Sequence, residues 1–136
     1  MLTYLLDTDI CIYVIKNRPP ALREKFNAES ARLCTSAVTA YELVFGAENS
    51  ARPGDNLNVV ESFLARLTTL PFDEKAAVHA GQIRADLTRR GRIIGPYDLM
   101  IAGLARSEGL IVVTNNAGEF ARVEGVRVEN WVDMST

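Results

Sequence analysis

The stretch TYLLDTDICIYVIKN, residues 3–17, joins two patterns. TYLLD is apolar without interruption up to Asp7, as a short strand buried on both faces would be. ICIYVIKN then reads as a short helix, stopped by Pro19-Pro20. A buried strand that passes through an acid into a helix opens an α/β unit. The two acids at that junction, Asp7 and Asp9, can cap the helix, hold a metal or attack a phosphate. Working outward, ALREKFNA (21–28) predicts a second helix, RLCTS (32–36) a second strand and VTAYELVFGAE (38–48) the helix after it. ARPGD (51–55) reads as a turn. Beyond it, Leu57, Val60, Leu64 and Leu67 recur at helical spacing, and Ala76, Ala80, Ile83 and Leu87 form another such stripe. RRGRIIGP (89–96) is a basic loop. YDLMIAGLARSEG (97–109) predicts a helix with Pro96 near its first position and Gly109 just past its end. LIVVT (110–114) has the apolar, β-branched composition of a central parallel strand, and GVRVENW (125–131) is a weaker last strand. Strands alternating with helices predict α/β layers around a mostly parallel sheet, in a single domain over residues 1–136.

The bulk numbers fit that reading. A chain of 136 residues is long enough to bury one sizeable core. With 48% hydrophobic and 24% charged residues it is neither disordered nor fibrous. A net charge of −2 gives no overall attraction to nucleic acid, so such a ligand needs a local basic patch or a bound cation. Cys11 and Cys34 sit among apolar neighbours, with no CxxC and too few Cys and His for a zinc site. They read as buried free thiols in a reducing, cytoplasmic compartment. Asp7 interrupts the first apolar run too early for a signal peptide, and no run approaches the length of about 20 residues that spans a membrane.

Four acids carry the functional question, and each has a structural account. Asp7 stands where the first strand ends, the rim at which open α/β sheets bind ligands; a loop acid or cap would also stand there. Asp9 suits the N-cap of the helix that follows. Glu42 follows Thr39 by three residues, which is the capping-box pattern, yet it shares a stripe with Val38 and Phe45 and so faces inward. Asp98 lies in the first turn of its helix, where negative charge is favoured, but Ile101, Ala102 and Ala105 share its stripe. Glu119, in TNNAGEF, follows Asn116 at cap spacing. Taken together, these positions converge on one rim of a parallel sheet. Carboxylates gathered there repel unless a cation lies between them, and an all-oxygen set without His or Cys suits Mg²⁺ or Mn²⁺. Such sites cleave or transfer phosphoryl groups.

MLTYLLDTDICIYVIKN, SAVTAYELVFGAE, GPYDLMIAGLA and VVTNNAGEF resemble the PIN-domain ribonucleases, and more narrowly the VapC toxins of bacterial toxin–antitoxin pairs. The resemblance runs from residue 1 to about 132 and includes the order and spacing of all four acids. It implies a three-layer α/β/α sandwich and an endoribonuclease dependent on Mg²⁺, for which Mn²⁺ can substitute. It places Asp7, Glu42 and Asp98 on the family's metal-binding, catalytic acids. Many members have Asp where this chain has Asn116, so Glu119 is the nearest carboxylate left for a weaker or water-mediated ligand. Asp7 and Asp98 are expected to hold the metal directly, with Glu42 helping or orienting the attacking water. Thr114, Asn115 and Asn116, at the end of the central strand, are candidates to position the phosphate. Arg84, Arg89, Arg90 and Arg92 are candidates to bind RNA, or a solvated basic helix end. Lys16, Arg18, Arg23 and Lys25 form a second, weaker basic group.

The resemblance also implies a cognate antitoxin, an RNA substrate such as tRNA, and assembly as a homodimer or a toxin–antitoxin hetero-oligomer. The helix ICIYVI and the helix over 54–67 offer a docking face for antitoxin or a second copy, or simply core. His79, the one histidine, reads as structural. Two alternatives stay open. One is a phosphohydrolase of the haloacid dehalogenase type, with Asp7 as nucleophile, Asp9 as acid–base and LCTS supplying a hydroxyl. The other is a degenerate domain that binds RNA or a partner without cleaving.

Overall fold

The computed structural model describes residues 1–132. Strand β1 (Tyr4–Leu6) leads into α1 (Thr8–Lys16), which ends at Asn17 in the left-handed region with φ 55°. Helix α2 (Pro20–Ala28) and a 3₁₀ turn (Ser30–Arg32) precede β2 (Leu33–Ser36). Ser36 caps α3 (Ala37–Glu48), its hydroxyl accepting from the Thr39 N–H at 3.0 Å. Helix α4 (Pro53–Leu64) is followed by β3 (Thr68–Leu70). Asp73 caps α5 (Glu74–Arg89) by accepting from the Ala76 N–H. Helix α6 (Pro96–Glu108) has Pro96 in its first turn, where the missing N–H costs nothing, and stops at Gly109 with φ 68°. Then come β4 (Ile111–Val113), the single-turn α7 (Ala117–Phe120) and β5 (Arg127–Glu129).

The five described strands form one sheet in the order β3-β2-β1-β4-β5, and every pairing is parallel. β1 lies at the centre, with Leu6 level with Thr35 of β2 and Val113 of β4. The residues that follow these strands therefore meet at one rim. Alternation of strand side chains separates two cores. Leu5, Cys34 and Val112 face α5 and α6, while Tyr4, Leu6, Leu33 and Val113 face α1, α2 and α4. The α/β/α sandwich expected from the sequence is thus the observed architecture. The contact that sets α6 is close. A Cβ on Gly103 would stand 2.6 Å from the Ala80 Cβ and 2.8 Å from the Ala76 carbonyl oxygen, so glycine lets α6 lie directly on α5.

Three local expectations are corrected. ARPGD is not a turn throughout, because α4 begins inside it at Pro53. The strand β3 has no counterpart in the sequence reading: its threonines are exposed at the sheet edge and leave no apolar signature. Phe45 is not on a buried stripe with Glu42; it is 60% exposed, while Val38 is buried. Cys11 and Cys34 are buried free thiols, and burial pushes the Cys34 thiol up to about 12. His79 accepts from the Arg106 guanidinium at 2.8 Å and helps tie α5 to α6, a structural role. No helix among the described residues is long and apolar enough to cross a membrane.

Candidate active site

The rim at the carboxyl ends of β1, β2 and β4 gathers the acids. Asp7 follows β1 directly and is only 5% exposed. It, and not Asp9, is the N-cap of α1: its Oδ1 accepts from the Thr8 N–H at 2.7 Å. The cap role expected of Asp9 therefore falls to Asp7. The backbone leaves β1 in extended geometry at Asp7 and turns helical at Thr8, which puts Asp9 inside the first turn. The other Asp7 oxygen, Oδ2, accepts from the buried Thr114 hydroxyl at 2.9 Å. That hydroxyl in turn accepts from the Asn116 N–H at 2.8 Å. Thr114 thus orients the Asp7 carboxylate and is itself fully buried.

Asp9 accepts from the Asn115 N–H through Oδ2 at 3.2 Å, and its buried Oδ1 has no hydrogen-bond partner. Asn115 is exposed and its side chain is tied to the Tyr13 hydroxyl at 3.3 Å and to Asn130 at 3.2 Å. Glu42 stands one turn and a half into α3, half-buried. It accepts from the Thr8 hydroxyl at 2.7 Å, a bond across 34 residues of chain. The same hydroxyl lies 3.1 Å from that of Thr39. Thr8, the residue between the two acids, thus ties Glu42 to the first turn of α1, next to Asp7. Asp98 is half-buried in the first turn of α6. Glu119, within the single turn of α7, accepts from the Asn116 side chain at 2.7 Å.

Electrostatics shows these acids sensing one another. Burial, then the neighbouring Asp9 charge and more weakly Glu42, push the Asp7 carboxyl up from 3.8 to about 7, against the pull of its bonds to Thr114 and Thr8. Burial also raises Asp9. Asp98 is pushed up to about 7 by burial, by the Asp7 charge, and by Glu119 and Glu42. Both carboxyls are thus pushed well above the ordinary carboxylate range, an arrangement that a bound cation would relieve. Among the described residues no three acid, His or Cys side chains converge tightly enough to enclose a metal by themselves.

The rim has an aromatic flank that the sequence reading missed. Tyr41 and Tyr97 immediately precede Glu42 and Asp98, and their hydroxyls are 3.0 Å apart. The spacing of an aromatic next to each acid was the available signal. The arginines precede Asp98 in the chain, in α5 and in the segment that follows it. Arg84, Arg89 and Arg92 are exposed. Arg90 is committed to a bridge with Asp86 at 2.8 Å and to the Arg122 carbonyl at 2.6 Å.

Comparison with known proteins is consistent with this geometry. The model of the PIN domain family matches residues 4–126. The chain is 54% identical over 131 residues to a tRNA(fMet)-specific endonuclease VapC of Salmonella typhimurium, covering 96% of this chain and 99% of that one. It is 51% identical over 132 residues to ribonuclease VapC2 of Haemophilus influenzae, covering 97% and 100%. It superposes on a chain of a crystal structure of DNA-bound VapBC from Salmonella typhimurium with a TM-score of 0.93, at 54% identity and over 96% of this chain and 99% of that one. PIN-domain ribonucleases generally depend on a divalent metal. The chain belongs to the PIN-domain family and, within it, to the VapC-type ribonucleases.

Proposed function

We propose that this protein is the toxin of a toxin–antitoxin pair and cuts structured RNA, tRNA in the first instance, using Mg²⁺ held by Asp7, Asp98 and Glu42. The observation that carries the reading is the gathering of Asp7, Glu42 and Asp98 at one sheet rim, with Glu42 tied to Thr8 and Asp7 to Thr114, in a set of donors that is oxygen throughout. That chemistry fits a hard divalent cation, with Mn²⁺ able to replace Mg²⁺. The acids do not enclose an ion by themselves, so water or substrate oxygens complete the shell, as Mg²⁺ readily accepts. When bound, the metal polarises the phosphate and offsets the charge of the acids. Glu119, tied to Asn116, is a weaker or water-mediated ligand. Asp9 leaves its buried Oδ1 without a hydrogen-bond partner, and its charge acts on Asp7.

The chain's own groups supply orientation and proton transfer. Thr114 and Thr8 fix the rotamers of Asp7 and Glu42. Glu42 orients a water and accepts its proton as that water attacks the phosphodiester, leaving a 5′-phosphate and a 3′-hydroxyl. Asn115 and Asn116, exposed beside Asp9, are placed to meet the phosphate backbone. Arg84, Arg89 and Arg92 supply the positive charge that the net charge withholds.

The antitoxin is a protein segment that lies in the apolar hollow between α1, α3 and α4. Ile12, Ile15, Leu43 and Val59 line it, Glu42 stands at its edge, and its volume is about 320 Å³. Occupation of that hollow would block the site. Solved relatives include VapBC complexes from Salmonella typhimurium, Rickettsia felis and Haemophilus influenzae. The reading treats residues 1–136 as one unit, a homodimer or a toxin–antitoxin hetero-oligomer, acting in the cytoplasm.

The family match decides against the phosphohydrolase. The test is cleavage of a small-RNA pool by the protein freed of antitoxin, with Mg²⁺ and then with EDTA. Discrete cuts should require Mg²⁺, Asp7 and Asp98, and vanish in Asp7→Ala and Asp98→Ala. Metal binding without cleavage in the unsubstituted protein would overturn the enzymatic reading in favour of RNA or partner binding alone.

A further inference from the structure

Two large aromatic rings stand uncovered beside the acids. Tyr41 on α3 is 55% exposed and Tyr97 on α6 is 40% exposed. The rings meet edge to face, with centroids 5.5 Å apart and planes at 64°. With Ala37, Val38 and Met100 they line a shallow hollow of about 360 Å³. Stability gives a weak account of the pair, because a hydroxyl–hydroxyl bond open to water contributes little. The lining holds no charged side chain, so it is unsuited to a phosphate, while the π faces and apolar floor suit the flat face of a nucleobase. The place is also telling. Each tyrosine adjoins one of the proposed metal-binding acids in the chain, and their hydroxyls meet at 3.0 Å, where α3 and α6 come together.

We infer that Tyr41 and Tyr97 form a platform on which an unpaired RNA base stacks, next to the phosphodiester that is cut. The inference rests on the nuclease reading above and adds a substrate requirement to it. Bases in a duplex have both faces covered, whereas a base in a loop or bulge can be splayed out and stacked on an aromatic side chain. The platform therefore selects a cut beside an unpaired nucleotide, and it does so with little preference for which base. The tyrosines are positioning residues. They hold the base while the acids act on the adjoining phosphate.

The test uses an initiator tRNA transcript carrying 2-aminopurine at the unpaired nucleotide beside the cut, titrated with protein in EDTA so that nothing is cleaved. Binding of the unsubstituted protein should quench the fluorescence, as stacking does. Tyr41→Leu and Tyr97→Leu should lose the quench, and Tyr41→Phe and Tyr97→Phe should retain it. In cleavage assays with Mg²⁺ the Leu variants should show KM raised about tenfold, with the loss falling on KM and not on kcat. An undiminished quench in both Leu variants would overturn the platform. So would unchanged quenching with an altered oligomeric mass in sedimentation, which would make this face a contact between copies of the chain. If the unsubstituted protein cuts no tRNA and no other RNA, the nuclease reading itself fails, a result separable from failure of the platform alone.

Discussion

Replacing Asp7 with Asn should make the metal-free protein more stable at neutral and alkaline pH, while ending cleavage. Asp7 is buried, and its carboxyl rises from 3.8 to about 7 in the fold. A carboxyl raised in this way favours the folded state fully below pH 3.8, where it is protonated in both states. That advantage is lost as pH climbs to about 7 and the folded protein must hold the charge. A displacement of about 3 pH units corresponds to about 4 kcal/mol. The coupling to Asp9 and Glu42, together with entry of counter-ions, brings the expected value to about 2 kcal/mol. Asn keeps the Oδ1 that accepts from Thr8, so the helix cap survives. For a chain of this size about 2 kcal/mol is a rise in Tm of roughly 5–8 °C. The assay is thermal unfolding in EDTA from pH 4 to 8, with the two proteins side by side. The curves should lie closest at pH 4, near the ordinary carboxyl value, and draw apart as pH climbs toward 7, with the variant higher. Adding Mg²⁺ should raise the Tm of the unsubstituted protein and leave Asp7→Asn nearly unmoved. Equal melting temperatures at every pH, or a variant less stable at pH 8, would refute the claim that the fold holds this carboxylate at a cost.

Thr114→Val removes the hydroxyl that bonds Asp7 Oδ2 and leaves the Asn116 N–H without its acceptor; it should cost about 1–3 kcal/mol in denaturant unfolding and weaken Mg²⁺ binding by about tenfold in calorimetry. Gly103→Ala forces a Cβ to within 2.6–2.8 Å of Ala80 and Ala76 on α5; a loss of about 2–3 kcal/mol is expected, with cleavage falling because α6 carries Asp98, and an unchanged Tm would show that the helices separate freely. Arg89→Ala and Arg92→Ala should each weaken RNA binding for all sequences and flatten its salt dependence by about one counterion. Arg90→Ala should instead act on the Asp86 and Arg122 contacts, lowering stability without altering the salt slope.

Local sequence determined most of the secondary structure. Uninterrupted apolar runs marked β1 and β4, the shorter Leu33-Cys34 pair with Thr35 behind it marked β2, and proline and glycine marked the limits of α6, because burial and backbone dihedral preference act within a few residues. The positions of Asp7, Glu42 and Asp98 after strands or in early helical turns were legible for the same reason. The tertiary structure decided what each acid does. Asp7 became the cap because helical geometry begins at Thr8, two residues earlier than a cap at Asp9 implies. Glu42 is held by Thr8, 34 residues away, and Asp7 by Thr114, 107 residues away. Such bonds depend on sheet order and helix packing, which no local pattern encodes. β3 escaped notice because an edge strand with exposed threonines lacks the apolar run that burial imposes. The Tyr41–Tyr97 contact exists only because α3 and α6 approach at the rim, so two isolated aromatics in the sequence become one surface in the fold.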